Sequence, residues 1–245
     1  MFSDTEIKFR KNEQLIISRS KGVIIFSSKN AMNDFQKFYP DHNCNLRLLR
    51  FATSLPTYKH LDIIVVKEKY GILGTYFMSP NQFWKHKNHI VILEAISALK
   101  EYNLNFQVVF TGSENDHRNK DYFQTLKDYV ELNGIQKWTK FLGFISRADQ
   151  LSLMDNAAAI IQPSLFEGWS TVVEDTKALS QFIILSDIEV HREQIDKNCI
   201  FFSTNSSNEL TSIMKTVLEN GVSRQSIDYS NNVTSFGKSI LEVLN

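Results

Sequence analysis

Two rhythms of apolar and polar positions divide this chain. From Gly74 onward, short apolar runs are separated by longer stretches with apolar residues every three or four positions. The runs Thr75 to Met78, Phe106 to Phe110, Lys140 to Leu142, Ala157 to Ile161, Phe182 to Leu185 and Ile200 to Phe202 predict strands. Between them, His89 to Lys100 carries Ile92, Ala95, Ile96 and Leu99 on one helical face. Tyr122 to Leu132, Ala148 to Asp155, Thr171 to Leu179, a segment centred on Glu193, Glu209 to Leu218 and Ser235 to Leu244 predict further helices. Strands alternating with helices imply an α/β fold: a doubly wound parallel sheet covered on both faces. Ligands of such sheets sit at the carboxyl ends of the strands.

The first seventy residues are less regular. Thr5 to Ser20 has helical spacing through Ile7, Leu15 and Ile16, and leads into Gly22-Val-Ile-Ile-Phe, read as a buried strand. Asn30 to Phe38 predicts a helix closed by Tyr39-Pro40, and Leu46 to Phe51 another strand. These elements are too few for a full sheet. Ala52 to Tyr70, with Pro56 and many charges, reads as a connector and a short helix.

Composition narrows the function. Lysine plus arginine and aspartate plus glutamate both number 27, so nothing marks a general binder of nucleic acid. Cys44 and Cys199 lack metal-ligand spacing, as do the six histidines, and the thiols read as those of a cytoplasmic protein. No apolar run approaches the ~20 residues of a membrane span, and the first residues are too polar for a signal peptide. At most a peripheral contact with the inner face of a membrane is expected.

The stretch from Ile160 to Ser180 holds the densest candidate chemistry. A buried strand ends at Pro163-Ser164, a loop carries Glu167 and Gly168, and a helix starts near Ser170 or Thr171. Thr171 with Glu174 three positions on fits a capping box. Free N–H groups at a helix start favour an anion, and a glycine lets a ligand approach the backbone. A second loop, Pro80-Asn-Gln-Phe-Trp-Lys-His-Lys-Asn-His89, is dense in cations at Lys85, His86, Lys87 and His89. It reads either as a solvated surface or as a phosphate site. The turn Gly143-Phe144-Ile145-Ser146-Arg147 reads equally as an ordinary strand-to-helix turn capped by Ser146. Asp-x-Asp, a metal-binding pattern, is absent; Asp187-Ile-Glu189 comes closest.

Glu167-Gly168-Trp169-Ser170, with a carboxylate eight positions after the first at Asp175, resembles the signature of retaining, nucleotide-sugar-dependent glycosyltransferases of the GT-B fold. The resemblance implies that Glu167 contacts the donor sugar and that Asp175, where the family usually has glutamate, holds the ribose, with Glu174 beside it. The family's Arg and Lys, five residues apart on the diphosphate, fall at Gln82 and Lys87. Gly112 lies at a neighbouring strand end, Phe144 and Ile145 where the family holds the nucleobase, and Gly168, Trp169, Ser170 and Thr171 beside the donor. Trp169 suits either packing under the loop or contact with the sugar.

On this resemblance Glu167 and Lys87 are the expected catalytic groups, with no metal and no cofactor beyond the nucleotide-sugar itself. Residues 1–51 are expected to be the remnant of an acceptor-side Rossmann-like domain, 52–73 a connector, and 74–245 a nucleotide-sugar-binding domain with a C-terminal helix. The expected activity is retaining transfer of a sugar to a glycan or lipid-linked acceptor in surface polysaccharide biosynthesis. The family's catalytic histidine has no counterpart here. The alternative is therefore a catalytically incomplete nucleotide-sugar-binding fragment needing a second chain for the missing domain. A sugar-nucleotide epimerase is a weaker third reading.

Overall fold

The computed structural model describes residues 3–56, 58 and 61–244. Its larger part is a six-stranded, all-parallel sheet built from β3 (Tyr76–Ser79), β4 (Gln107–Phe110), β5 (Thr139–Phe141), β6 (Ile160–Gln162), β7 (Ile183–Ser186) and β8 (Cys199–Phe202). Their spatial order is β5-β4-β3-β6-β7-β8. Strand order reverses between β3 and β6, so the connections leave that pair in opposite directions and open a crevice at their carboxyl ends. β3 and β6 meet in register at Met78 and Ile160.

Alternation along each strand sorts the core onto two faces. Phe77, Val108, Phe110, Ile161 and Ile184 pack with residues of α4 (His89–Leu99), α5 (Tyr122–Leu132) and α9 (Ser207–Asn220). Tyr76, Met78, Val109, Ile160, Ile183 and Leu185 point the other way, among residues of α3 (Ile63–Tyr70), α6 (Arg147–Asp155) and α7 (Thr171–Ala178). Strands buried on both faces read as continuous apolar runs, which is why their sequences were legible. α3 supplies Val66 to this core. It therefore belongs to the large domain, although the sequence placed it in the connector.

The N-terminal unit consists of α1 (Asp4–Ser18), β1 (Val23–Phe26), α2 (Lys29–Phe38) and β2 (Asn45–Leu48), with β1 and β2 paired in parallel. The sequence reading made β1 a buried strand, and the structure corrects this. Phe26 packs on Phe35 of α2 with ring centres 5.4 Å apart, but Val23 and Ile25 are 54% and 48% exposed. Only one face of a two-stranded ribbon has α2 to cover it.

The two units are joined through α8 (Glu189–Gln194) and α7. The N–H groups of Lys29 and Asn30, at the start of α2, donate to Glu193 at 2.8 and 3.0 Å. Arg50 reaches the same carboxylate at 2.6 Å. Burial opposes charge on Glu193, but these donors outweigh it and hold the carboxyl below its ordinary value. α10 (Ser230–Leu244) ends the described chain. No helix among the described residues is long and apolar enough to cross a membrane.

Candidate functional site

Polar side chains converge where the sheet reverses. Just after β3, Asn81 is buried and donates to Gln162 Oε1 at 2.7 Å. Gln162, the last residue of β6, turns its Nε2 towards Ser164 Oγ (3.1 Å), Glu167 Oε1 (2.9 Å) and Ser170 Oγ (3.2 Å). Glu167 Oε1 also accepts from Ser164 Oγ at 2.7 Å and Lys87 Nζ at 2.5 Å. Asn81, Gln162 and Ser164 were absent from the sequence-based site. A polar residue ending an apolar strand at the reversal point was the signal available for Gln162.

The loops that carry these groups are stitched by main-chain contacts. Leu165 N–H donates to His86 O at 2.8 Å, and Phe83 N–H to Ser113 O at 2.9 Å. Lys85 and Lys87 belong to a single 3-10 turn whose first N–H, that of Lys85, donates to Asp116 at 3.2 Å. Gly112 lies against the backbone of the same loop: a Cβ there would stand 2.3 Å from Asn81 O and 2.8 Å from Gln82 Cα. With φ at +143°, that position suits only glycine. Gln82 itself is exposed.

Only part of this loop is cationic. His89 is fully buried, stacked on Phe83 with ring centres 4.8 Å apart. Burial, helped by the Lys87 charge, pushes its pKa from 6.5 to about 3. His86 is also pushed down, by burial first and then by Lys87. Lys85 and Lys87 therefore carry the positive charge, and the sequence reading overcounted it.

The helix start is corrected in detail. Ser170 caps α7 and accepts the Val173 N–H at 3.4 Å; Thr171 is the first helical residue, exposed, and no capping box forms. Gln194 clamps the Ser170 peptide, accepting its N–H at 3.0 Å and donating to its carbonyl at 2.7 Å. Glu174 does not reach back to the cap. Its buried carboxylate accepts from Gln194 (2.9 Å), Lys177 (3.1 Å) and the Tyr229 hydroxyl. His191, read from sequence as surface, is wholly buried, with Nδ1 2.8 Å from Ser186 O. Burial pushes its pKa down.

Asp175, one turn into α7, is 1% exposed and lies between Arg147, at 2.6 and 2.5 Å, and the Thr53 hydroxyl, at 2.8 Å. The structure thus brings Asp175 together with the Gly143 to Arg147 turn. In that turn Ser146 caps α6, Ile145 is buried in the core and Phe144 is 89% exposed. Gly112 N–H donates to Gly143 O at 2.8 Å, joining this turn to the crevice. Trp169 packs against the segment after β2: its indole N–H donates to Phe51 O at 3.1 Å, with Arg50 over the ring. Gly168 faces Ser27, whose Oγ would lie 3.5 Å from a Cβ at that glycine.

A cavity of about 320 Å³ opens beside Glu167, between Asn30 of the N-terminal unit and Asp187 to Val190. A smaller one, about 180 Å³, lies on the other side of Phe166 against Trp84 and His86. A larger one, about 620 Å³, runs from Lys85 along His117 to Leu126 and is not lined by Glu167. Volume alone does not mark the site here, and the convergent polar groups do.

A doubly wound sheet with a lysine–carboxylate pair at its reversal point has the architecture of a Rossmann-like GT-B domain. The chain belongs to the glycosyl transferases group 1 family, whose family model matches residues 67–233. No curated protein matches. Among solved structures, the chain is similar to Anabaena HepE in complex with UDP and glucose, with 16% identity and a TM-score of 0.80 over 99% of this chain and 67% of that one. It is similar also to sucrose-phosphate synthase from Thermosynechococcus elongatus (14%, TM-score 0.73, 100% and 59%). A third is WaaG, a glycosyltransferase involved in lipopolysaccharide biosynthesis (13%, TM-score 0.71, 97% and 62%). The chain therefore spans about three fifths to two thirds of the length of these structures.

Proposed function

We propose that this chain binds a nucleotide-sugar at the β3–β6 crevice and serves retaining transfer of that sugar to a glycan or lipid-linked acceptor in surface polysaccharide biosynthesis. The observation that carries this reading is the Lys87–Glu167 pair, held by Gln162 and Ser164 at the sheet's reversal point. As a glycosidic bond to a diphosphate breaks, the leaving group gains negative charge. A fixed cation and helix-start N–H groups stabilise that charge. Lys87 is the cation in this reading, and the start of α7 supplies the N–H groups, so no metal or cofactor is required. Glu167 then accepts from donor-sugar hydroxyls as Lys87 turns to the phosphates. Gln82, Gly112, Gly168, Ser170 and Thr171 line the donor, and Phe144 and Ile145 the base. The reaction takes place in the cytoplasm, where nucleotide-sugars are held.

A second reading, donor binding without turnover unless an acceptor-side domain is present, is favoured by the open face of β1 with Val23 and Ile25 exposed. Calorimetry with UDP and UDP-glucose, with and without chelator, tests the proposal. Binding that survives chelator is expected. Binding lost with chelator would sink the metal-free site, and no binding of any nucleotide would sink the donor reading.

A further inference from the structure

Phe166 stands between the two small cavities and is 54% exposed, directly before Glu167. The 180 Å³ cavity on its far side has Trp84 and His86 as further ring walls, their centres 5.5 Å apart. Its polar side is built around Asp116, which is buried. That carboxylate accepts the Arg118 N–H (3.0 Å), Asn119 Nδ2 (2.9 Å) and the Lys85 N–H (3.2 Å). One acid thus holds the polar rim of the cavity and the turn that carries Lys87 in a single frame.

The cavity also faces the N-terminal unit. Arg118, on its rim, reaches Glu6 of α1 at 3.3 Å. It therefore lies in the cleft between the two units. At about 180 Å³ it is below the roughly 300–1,000 Å³ of pockets for drug-sized ligands and suits one ring, with the 620 Å³ cavity adjoining it across Lys85, Arg118 and Asn119. Ring side chains together with planar amide and guanidinium groups in one lining match one ligand chemistry. The C–H face of a pyranose packs on the rings, and its hydroxyl edge meets the planar polar groups.

We infer that this cavity is a subsite for a single pyranose ring of the acceptor, with Trp84 and Phe166 as its platform. The inference rests on the donor reading above, which puts the donor sugar at Glu167. Phe166 then partitions the two sugars, and Asp116 is a positioning residue for both the platform and the diphosphate turn.

The test uses the full chain labelled with 5-fluorotryptophan, whose three tryptophans give three fluorine resonances, with Trp84→Phe assigning one. UDP is added first, then methyl glycosides of glucose, galactose and N-acetylglucosamine, with UDP-glucose in a separate titration. The expected result is a shift of the Trp84 resonance by at least one glycoside with UDP present, while Trp138 and Trp169 stay still. Phe166→Ala should weaken that glycoside roughly two- to tenfold and leave UDP binding unchanged. A Trp84 resonance that ignores every glycoside, or moves only with UDP-glucose, overturns the acceptor subsite, as does a shift indifferent to Phe166→Ala. Glycoside binding at Trp84 in a chain that binds no UDP would instead remove the donor reading and keep the ring site.

Discussion

Arg147 grips Asp175 with both terminal nitrogens, at 2.6 and 2.5 Å, while Thr53 donates to the same carboxylate at 2.8 Å. Asp175 is thus a joint between the start of α6, the middle of α7 and the segment following β2. Asp175→Asn is expected to lower the melting temperature of the ligand-free protein, by about 1–3 kcal/mol of stability. That is less than for a fully buried pair, because Arg147 reaches solvent. A double-mutant cycle with Arg147→Ala checks this; a coupling energy near zero would mean the joint contributes nothing.

Lys87→Ala is expected to weaken UDP binding about ten- to a hundredfold, the worth of one charge-assisted contact of roughly 1.5–3 kcal/mol. Lys85→Ala should cost much less. Calorimetry on both variants decides the matter: equal losses would make the loop a diffuse basic surface.

Glu167→Gln removes the charge partner of Lys87 while keeping its shape. Affinity for UDP-glucose should fall more than affinity for UDP, since in this reading the carboxylate serves the sugar. Equal losses for the two ligands would refute that division.

His89 gives the fold a pH dependence of defined sign. Its native pKa lies near 3, against 6.5 unfolded, so between those values the unfolded chain binds the extra proton. Stability is unaffected by this group above pH 6.5 and falls as pH drops, by about 2 kcal/mol at pH 5. Denaturant melts at a series of pH values, compared with His89→Phe, test this. A slope surviving in the variant would assign the effect elsewhere.

Glu193 gives a second acid-sensitive point. Its native carboxyl lies below the ordinary 4.5, so its contribution is present above that value and is lost as pH falls through the native pKa. Glu193→Gln should speed hydrogen exchange at Lys29 and Asn30 at neutral pH. Unchanged exchange at those two amides would mean that the contact does not hold the start of α2.

The large domain was legible because the four inner strands of its sheet, β3, β4, β6 and β7, are buried on both faces and helices such as α4 and α5 carry a periodic apolar stripe. The cation at Lys87 and the acid at Glu167 were legible through the resemblance, while their contact needed the fold. What failed was long-range. Glu174 sits three residues after a threonine and so mimics a local cap, yet it hydrogen-bonds Tyr229, 55 positions away. His191 and Glu193 share a short polar helix that reads as surface, because their partners in Ser186 and α2 leave no periodic trace. The openness of β1 was hidden for the opposite reason: an apolar run predicts burial, whatever its neighbours.

The contact of Gly112 with the Asn81–Gln82 peptide, backbone on backbone with no side chain between, bears on motion. It couples the ends of β3 and β4 at a spacing that leaves no room for either to slide. The crevice thus has one fixed jaw, made of the Gln82 to Lys87 turn and its seat on Asp116. The facing loop, Ser164 to Trp169, is bonded to that turn through Leu165 and Glu167 and to the N-terminal unit through Trp169, so displacement of any one of the three is passed to the others.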